Sequence, residues 1–226
     1  LLNSDALLRP GCLAALLAAA EAEPRAGLLA PRLEWEEGGV QTNCFRAPSP
    51  ASELVRGSGS GPVTRLLGGR EVALGPEPDP AEIDWVSFAC VLLRAEAAAE
   101  VGPMDEGFFL YFEDADHCRR VRAAGWLIRR VPGAAAVHFR GGSAPVKRLA
   151  SRNARLPAYF YAARTRYFRR AHGVLGPLLA NLGWHLGRAI AQTRRLAGRE
   201  VPPAKAAEWR DIWTNFLAPL GDRRAP

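Results

Sequence analysis

No uninterrupted apolar run in these 226 residues approaches the ~20 that a membrane-crossing helix needs, so a spanning helix is excluded from the reading. Cysteine is sparse. Cys12, Cys44, Cys90 and Cys118 lie far apart with no Cys-x-x-Cys pair, which argues against a structural zinc site and for reduced core thiols in a cytosolic protein. No Gly-Lys-Ser/Thr follows the glycine-rich run Gly57-Ser58-Gly59-Ser60-Gly61, so it is read as a linker and not as a phosphate-binding loop. The single methionine is Met104, and Leu1-Leu2 passes at once to Asn3 and Asp5, which does not read as a signal peptide. The chain is therefore expected to be a fragment whose first strand begins upstream.

Acidic residues are unevenly distributed. From Lys147 onward there are 16 Lys and Arg against 4 Asp and Glu, a balance of +12. The first 146 residues hold 14 against 19, or −5, which together make the net +7. A mildly acidic body with a basic tail calls for an anionic partner for the tail: membrane surface, nucleic acid or polyphosphate. No recognised nucleic-acid motif accompanies the arginines, so no nucleic-acid partner is expected.

What is present centres on Phe108-Phe109-Leu110-Tyr111-Phe112, an apolar run leading into Glu113, Asp114 and Asp116. The run reads as a buried strand or core-lining segment. The carboxylates, too costly to bury unpaired, face water, a cation or a substrate, and the plainest account makes them the acidic first turn of a helix. By periodicity Asp116 to Ala124 reads as helix with Gly125 as its stop, and Asp116 is expected on its surface.

Along the chain, Leu1–Asn3 reads as a strand end, Cys12–Glu23 as a helix stopped by Pro24, and Ala26–Ala30 as a buried strand closed by Pro31. That order predicts a βαβ unit with a right-handed crossover, placing Asp5 at the carboxyl end of its strand, where open α/β sheets hold ligands. Residues 34–84 are aperiodic and read as an irregular insertion. Trp85–Arg94 reads as one central strand, and a short helix runs to Val101. Trp126–Val131 is a strand, Pro132-Gly133 a turn, and Ala134–Phe139 another strand ended by Gly141-Gly142-Ser143. From Lys147 the pattern is helical. Its stripe of Leu175, Leu178, Leu179, Leu182 and Leu186 is either a face packed on the domain or, given the arginines, an interfacial helix on anionic lipid.

Four features in this order resemble the second half of a family 2 glycosyltransferase of the rhamnosyltransferase-like kind: Asn3-Ser4-Asp5, Trp85-Val86-Ser87-Phe88-Ala89, Phe109–Asp116, and His138-Phe139-Arg140-Gly141-Gly142-Ser143. The resemblance runs from Leu1 to about His172. It implies an α/β GT-A fold, a Rossmann-like mixed sheet incomplete at its N-terminus, over residues 1–146, followed by a basic helical region over 147–226. It also implies an inverting enzyme that uses a nucleotide-sugar donor and a divalent cation, Mg²⁺ or Mn²⁺, and works on a saccharide or lipid-linked acceptor in bacterial surface polysaccharide synthesis. By the same resemblance Asp5 matches the metal-binding aspartate and Asn3 its polar companion. Asp114 matches the catalytic base, with Glu113 orienting the acceptor or supporting it. His138 matches a metal or diphosphate ligand, and Trp85 a substrate-site residue. The residue types suit that chemistry, because a departing diphosphate needs a cation and the attacking hydroxyl needs an ionised base.

The structural alternatives are a hydrogen-bonding His138, Asp5 as a cap, and Trp85 as core. Ser4 replaces a common proline and Phe88 a common glycine. The family's first half, which reads base and ribose, is expected upstream of Leu1. Such a protein is expected in the cytoplasm, peripheral on the inner membrane face. The competing expectation is a non-catalytic remnant that binds a membrane surface or a partner.

Overall fold

The computed structural model describes residues 1–59, 61–139, 146–222 and 224–225. These divide into two compact units, one made of Leu1–Ala47, Ala73–Met104 and Asp114–Ala144, the other of Pro48–Val72, Asp105–Glu113 and Pro145–Pro226. The architecture is mixed α/β and compatible with a GT-A-like fold.

In the first unit a four-stranded sheet has the order β1-β6-β2-β5, with β1 at Ala6–Leu8, β2 at Ala26–Glu34, β5 at Leu92–Leu93 and β6 at Leu127–His138. β2 lies between β6 and β5 and is buried along almost its whole length, which its apolar run Ala26–Ala30 foretells. Helix α1, Cys12–Ala22, packs Cys12 and Leu16 against Ala26, Leu29 and Ala134. A second cluster joins Leu28, Val86, Val91, Cys118, Val121 and Ile128.

The expected βαβ unit is not formed. β6 is parallel to β2 but antiparallel to β1, so β1 runs against β2 and the α1 connection is not a parallel crossover. Only Leu2 of the first residues pairs, in an isolated bridge with Cys90, and Asp5 sits in the turn that leads into β1 instead of at a strand's carboxyl end. The two prolines expected to end strands lie inside them. Pro31 pairs with Val131 and Arg32 with Ala135, so Pro132, Gly133 and Ala134 form an irregularity in one continuous β6. A proline cannot donate to a ladder, and a bulge is where a sheet tolerates that loss.

The expected strand Trp85–Arg94 is instead two two-residue strands. β4, Trp85–Val86, pairs with β3, Cys44–Phe45, in a separate sheet, while β5 forms the edge of the main one. Helix α4 covers Ala95–Val101. Helix α5 spans Glu113–Ala123 and begins three residues earlier than the Asp116 start read from the pattern.

In the second unit the stretch read as aperiodic contains α2, Pro50–Ser58, capped by Ser49, whose hydroxyl accepts from Ser52 N at 3.1 Å, and the short α3, Pro62–Leu66. Helices α6 (Val146–Ser151), α7 (Ala158–His172), α8 (Gly176–Leu196) and α9 (Glu208–Asp211) complete it. Gly57 belongs to α2 and not to a linker. It meets Gly187 where α2 crosses α8, and a Cβ on either would collide with the carbonyl oxygen of Trp184 or of Leu54. Glycine here serves close helix approach, which its composition disguised as flexibility.

Candidate active site

Asp5 and His138 are brought together by strand pairing. Ala6 is in register with His138, and Phe139 N donates to Asp5 O at 2.9 Å. Across that ladder His138 Nε2 stands 3.4 Å from Asp5 Oδ1, with the two side chains 8% and 14% exposed. Asn3 shapes the approach through its backbone: its N donates to Ala89 O at 2.9 Å, and its O accepts from Ala6 N at 3.1 Å, closing the turn that carries Asp5. Gln41, which the sequence reading passed over, is buried and donates from Nε2 to His138 O and to Glu34 O, both at 2.7 Å. It locks the end of β6 to β2. No pattern in the sequence marks it, because its partners are backbone carbonyls set by the fold.

The pair fits two neighbouring ligands of one cation. Donors at 2.0–2.1 Å from an octahedral centre lie about 3 Å apart, close to the separation observed. Among the described residues no group of three or more His, Cys, Asp or Glu side chains could hold a metal. Asp5 and His138 would therefore need substrate oxygens and water to complete a shell.

The stretch before α5 is not a strand. Tyr111 and Phe112 have φ of 73° and 66°, a left-handed conformation that costs bulky residues about 1–2 kcal/mol each. Their rings meet the second unit's own aromatic cluster: Tyr111 lies 5.5 Å from Phe160, and Phe112 lies 5.7 Å from Phe160 and 5.6 Å from Tyr167. Ahead of them Asp105 accepts two hydrogen bonds from Arg166 of α7, each 2.9 Å, and one from Gly107 N at 2.9 Å. Of the two readings of this run, core lining is the one the structure adopts.

The acidic first turn is as read. Asp114 Oδ1 accepts from Ala115 N at 2.8 Å, at the helix end where the dipole favours an anion. Burial pushes the Glu113 carboxyl above the ordinary carboxylate range, and its Oε2 makes no hydrogen bond among the described residues. A raised carboxyl pKa means the folded state holds a proton that the unfolded state has lost. Glu113 thus lowers stability as pH rises through the interval above its ordinary value. Glu113→Gln should accordingly raise Tm on the order of 2 °C at neutral pH and leave it unchanged at pH ~4, as differential scanning fluorimetry would read.

Asp116 is not on the surface. It is 1% exposed and pairs with Arg119 at 3.0 Å and Arg120 at 3.2 Å, one helical turn on. Arg120 also donates to the carbonyls of Val101 at 2.9 Å and Pro103 at 2.7 Å, so this cluster ties α5 to the end of α4. The adjacent His117 is pushed down by burial and by Arg120, which keeps it neutral at pH 7. Its position next to an acidic run makes it look like a ligand, but its Nδ1 lies 3.0 Å from Arg120 and its ring meets Phe88 edge-on.

Trp85 belongs to the β3–β4 sheet. Its ring stacks on Phe45 at 4.1 Å and its Nε1 donates to Arg46 O at 3.0 Å. The remainder of the fourth motif, Arg140 to Ser143, lies outside the described residues.

No protein-family model matches the chain. Among curated proteins it is 34% identical over 157 residues to the N-acetylglucosaminyl-diphospho-decaprenol L-rhamnosyltransferase of Mycobacterium tuberculosis, covering 62% of this chain and 46% of that protein. It is 35% identical over 57 residues to the rhamnosyltransferase WbbL of Escherichia coli strain K12, 25% of this chain and 22% of that one. It is 27% identical over 111 residues to the low-salt glycan biosynthesis hexosyltransferase Agl10 of Haloferax volcanii, 49% and 32% respectively. The chain spans less than half the length of each of these relatives. They are all sugar transferases, in agreement with the resemblance to family 2 glycosyltransferases.

Proposed function

We propose that the chain is the catalytic and acceptor-side part of an inverting, metal-dependent family 2 glycosyltransferase. In this reading it moves a sugar from a nucleotide-sugar to a saccharide acceptor carried on a lipid diphosphate, in the synthesis of a surface polysaccharide. The observation that carries it is the Asp5–His138 pair, two cation-ligand side chains held together at the sheet edge by the β1–β6 register. A bound Mg²⁺ or Mn²⁺ would supply Lewis-acid neutralisation of the leaving diphosphate.

The chain's own residues do the rest. Asp114 takes the proton from the acceptor hydroxyl as that oxygen forms its bond to the anomeric carbon. The bond from that carbon to the diphosphate oxygen breaks on the opposite face, so configuration inverts and the electron pair leaves with the nucleotide. An aspartate at a helix N-terminus suits this task because the dipole there favours the anion. Glu113 supports Asp114 or orients the acceptor, Asn3 shapes the turn that holds Asp5, and Trp85 lines the sugar side. The lipid-linked acceptor is argued from the decaprenol-linked saccharide named for the mycobacterial relative and from the basic helices after Lys147, which favour a peripheral position on the cytoplasmic face of the membrane.

Thermal-shift titration of the complete protein tests the reading, with UDP-, GDP- and dTDP-sugars in the presence and absence of manganese. One donor should raise Tm only with the metal, and Asp5→Ala should abolish that increment. An increment unchanged in Asp5→Ala would remove Asp5 from the site.

A further inference from the structure

In the second unit the C-terminal turns of α8 and the segment after it enclose a cavity of about 740 Å³. Arg188, Gln192 and Arg195 stand at i, i+4 and i+7, so a single stripe of the helix faces it. Past the helix end the chain turns back and brings Arg199, Glu200 and Pro202 to the lining. The exposed Leu179, Leu182 and Leu186 lie on the opposite face of α8, so that stripe is neither packed on the domain nor part of the cavity.

The walls are fixed by the protein's own contacts. Arg188 donates from Nη1 to Pro202 O at 3.0 Å and to Gly57 O at 3.4 Å, and Arg194 donates from Nη1 to Ser58 O at 3.1 Å. Pro202 also sits against the left-handed Gly59 that ends α2, where a Cβ would come within 3.0 Å of its Cδ. A cavity tied in this way is pre-formed, which leaves little ordering cost to binding.

Its charge is unbalanced. Three guanidiniums and the one carboxylate of Glu200 give +3 and −1, a net +2 on the lining. Burial pushes the Arg188 guanidinium below its ordinary value; Glu208 opposes this, while Arg195 and Arg56 add to it. Among the described residues neither Arg195 nor Arg199 has an ion-pair partner. Basic residues in the last turn of a helix complement its dipole, and that accounts for Arg195. It does not account for Arg188, two turns before the end, or for Arg199 beyond it. Like charges gathered around a hollow call for an anion, and the guanidinium fork matches phosphate oxygens in pairs. The volume falls in the range of small-molecule sites, about 300–1,000 Å³, so there is room for more than a single phosphate.

We propose that this cavity binds the diphosphate group of a small phosphorylated ligand, with Arg188, Arg195 and Arg199 donating to its oxygens. The site uses none of the residues of the transferase reading and needs no metal, so it is tested apart from sugar transfer.

The experiment is equilibrium dialysis of the complete protein against labelled inorganic pyrophosphate, in EDTA. One site should fill, and added salt should weaken it. Arg195→Ala and Arg199→Ala should each weaken binding at least about tenfold, the worth of one charge-assisted hydrogen bond, and leave Tm unchanged because both side chains are exposed. Arg195→Lys should recover part of the loss, since an ammonium keeps the charge without the fork. Glu200→Gln should tighten binding about threefold by removing the opposed carboxylate. Absence of binding by the parent overturns the proposal, as does unchanged affinity in Arg195→Ala/Arg199→Ala. So does citrate that displaces pyrophosphate as well as pyrophosphate itself does, which would make the cavity a general anion trap. Displacement by farnesyl diphosphate at about a tenth of the pyrophosphate concentration would assign the diphosphate to an isoprenoid lipid. The same result with UDP would assign it to a nucleotide, and either upholds the site. A complete protein that binds pyrophosphate here but transfers no sugar would count against the transferase reading alone.

Discussion

Asp114→Asn should lower the rate of sugar transfer by about 10²–10⁴-fold, the range a positioned general base contributes, while donor binding persists. The two carboxylates that open α5 are adjacent in sequence but differ in environment. Burial pushes Glu113 above the ordinary carboxylate range. Asp114 accepts a backbone N–H and sits where the helix dipole favours the anion. The backbone entering this turn is left-handed at Tyr111 and Phe112, whose rings pack on Phe160 and Tyr167. Single-turnover transfer by the complete protein, with donor affinity measured in parallel, reads the outcome. Glu113→Gln should cost far less than Asp114→Asn. A full rate in Asp114→Asn would take the base away from that residue.

Arg164→Ala should destabilise the helical unit by about 3–5 kcal/mol, the cost of leaving a buried charge without its partner. Arg164 is 2% exposed and donates to Glu53 at 2.9 Å and to Asn181 at 2.7 Å, with its guanidinium 4.9 Å above the Phe168 ring. Arg56 bonds Glu53 from the other side at 2.6 Å and reaches Glu208 as well. Burial by itself would raise the Glu53 carboxyl, but Arg164 and Arg56 hold it down to about 2. Burial also lowers Arg164, yet a guanidinium starts so high that it stays charged, and the pair is ionic. Because the Glu53 pKa is depressed in the folded state, this stability is present above the ordinary carboxylate value and is lost as pH falls toward 2. Thermal melts should show a drop of roughly 10 °C for Arg164→Ala at pH 7, narrowing in acid. Glu53→Gln/Arg164→Met, which removes both charges, should recover part of the loss. A variant that melts with the parent at pH 7 would show that Arg56 alone satisfies Glu53.

Much of the local structure could be read from the sequence. Helix α1 and its stop at Pro24, α4 and the helices after Val146 follow from periodicity, and the acidic first turn of α5 was read as such. The register of Asp5 with His138 was not legible, since 133 positions separate them and only the antiparallel pairing of β1 with β6 joins them. The prolines misled for the same reason, because a local rule ends a strand at proline while the sheet absorbs Pro31 and Pro132 at one irregularity. Gly57 misled because loop and helix-contact glycines have the same composition.

The opposed charges of body and tail, the lack of a membrane-crossing run and the order of the four motifs were determined by sequence alone, since they depend on residue type and spacing. Tertiary structure decided which side chains meet, because that depends on long-range pairing. It set Asp5 beside His138 and sank Asp116 between two arginines. It also turned the leucines of α8 outward, because the small residues on the helix's other face take the close contact with α2.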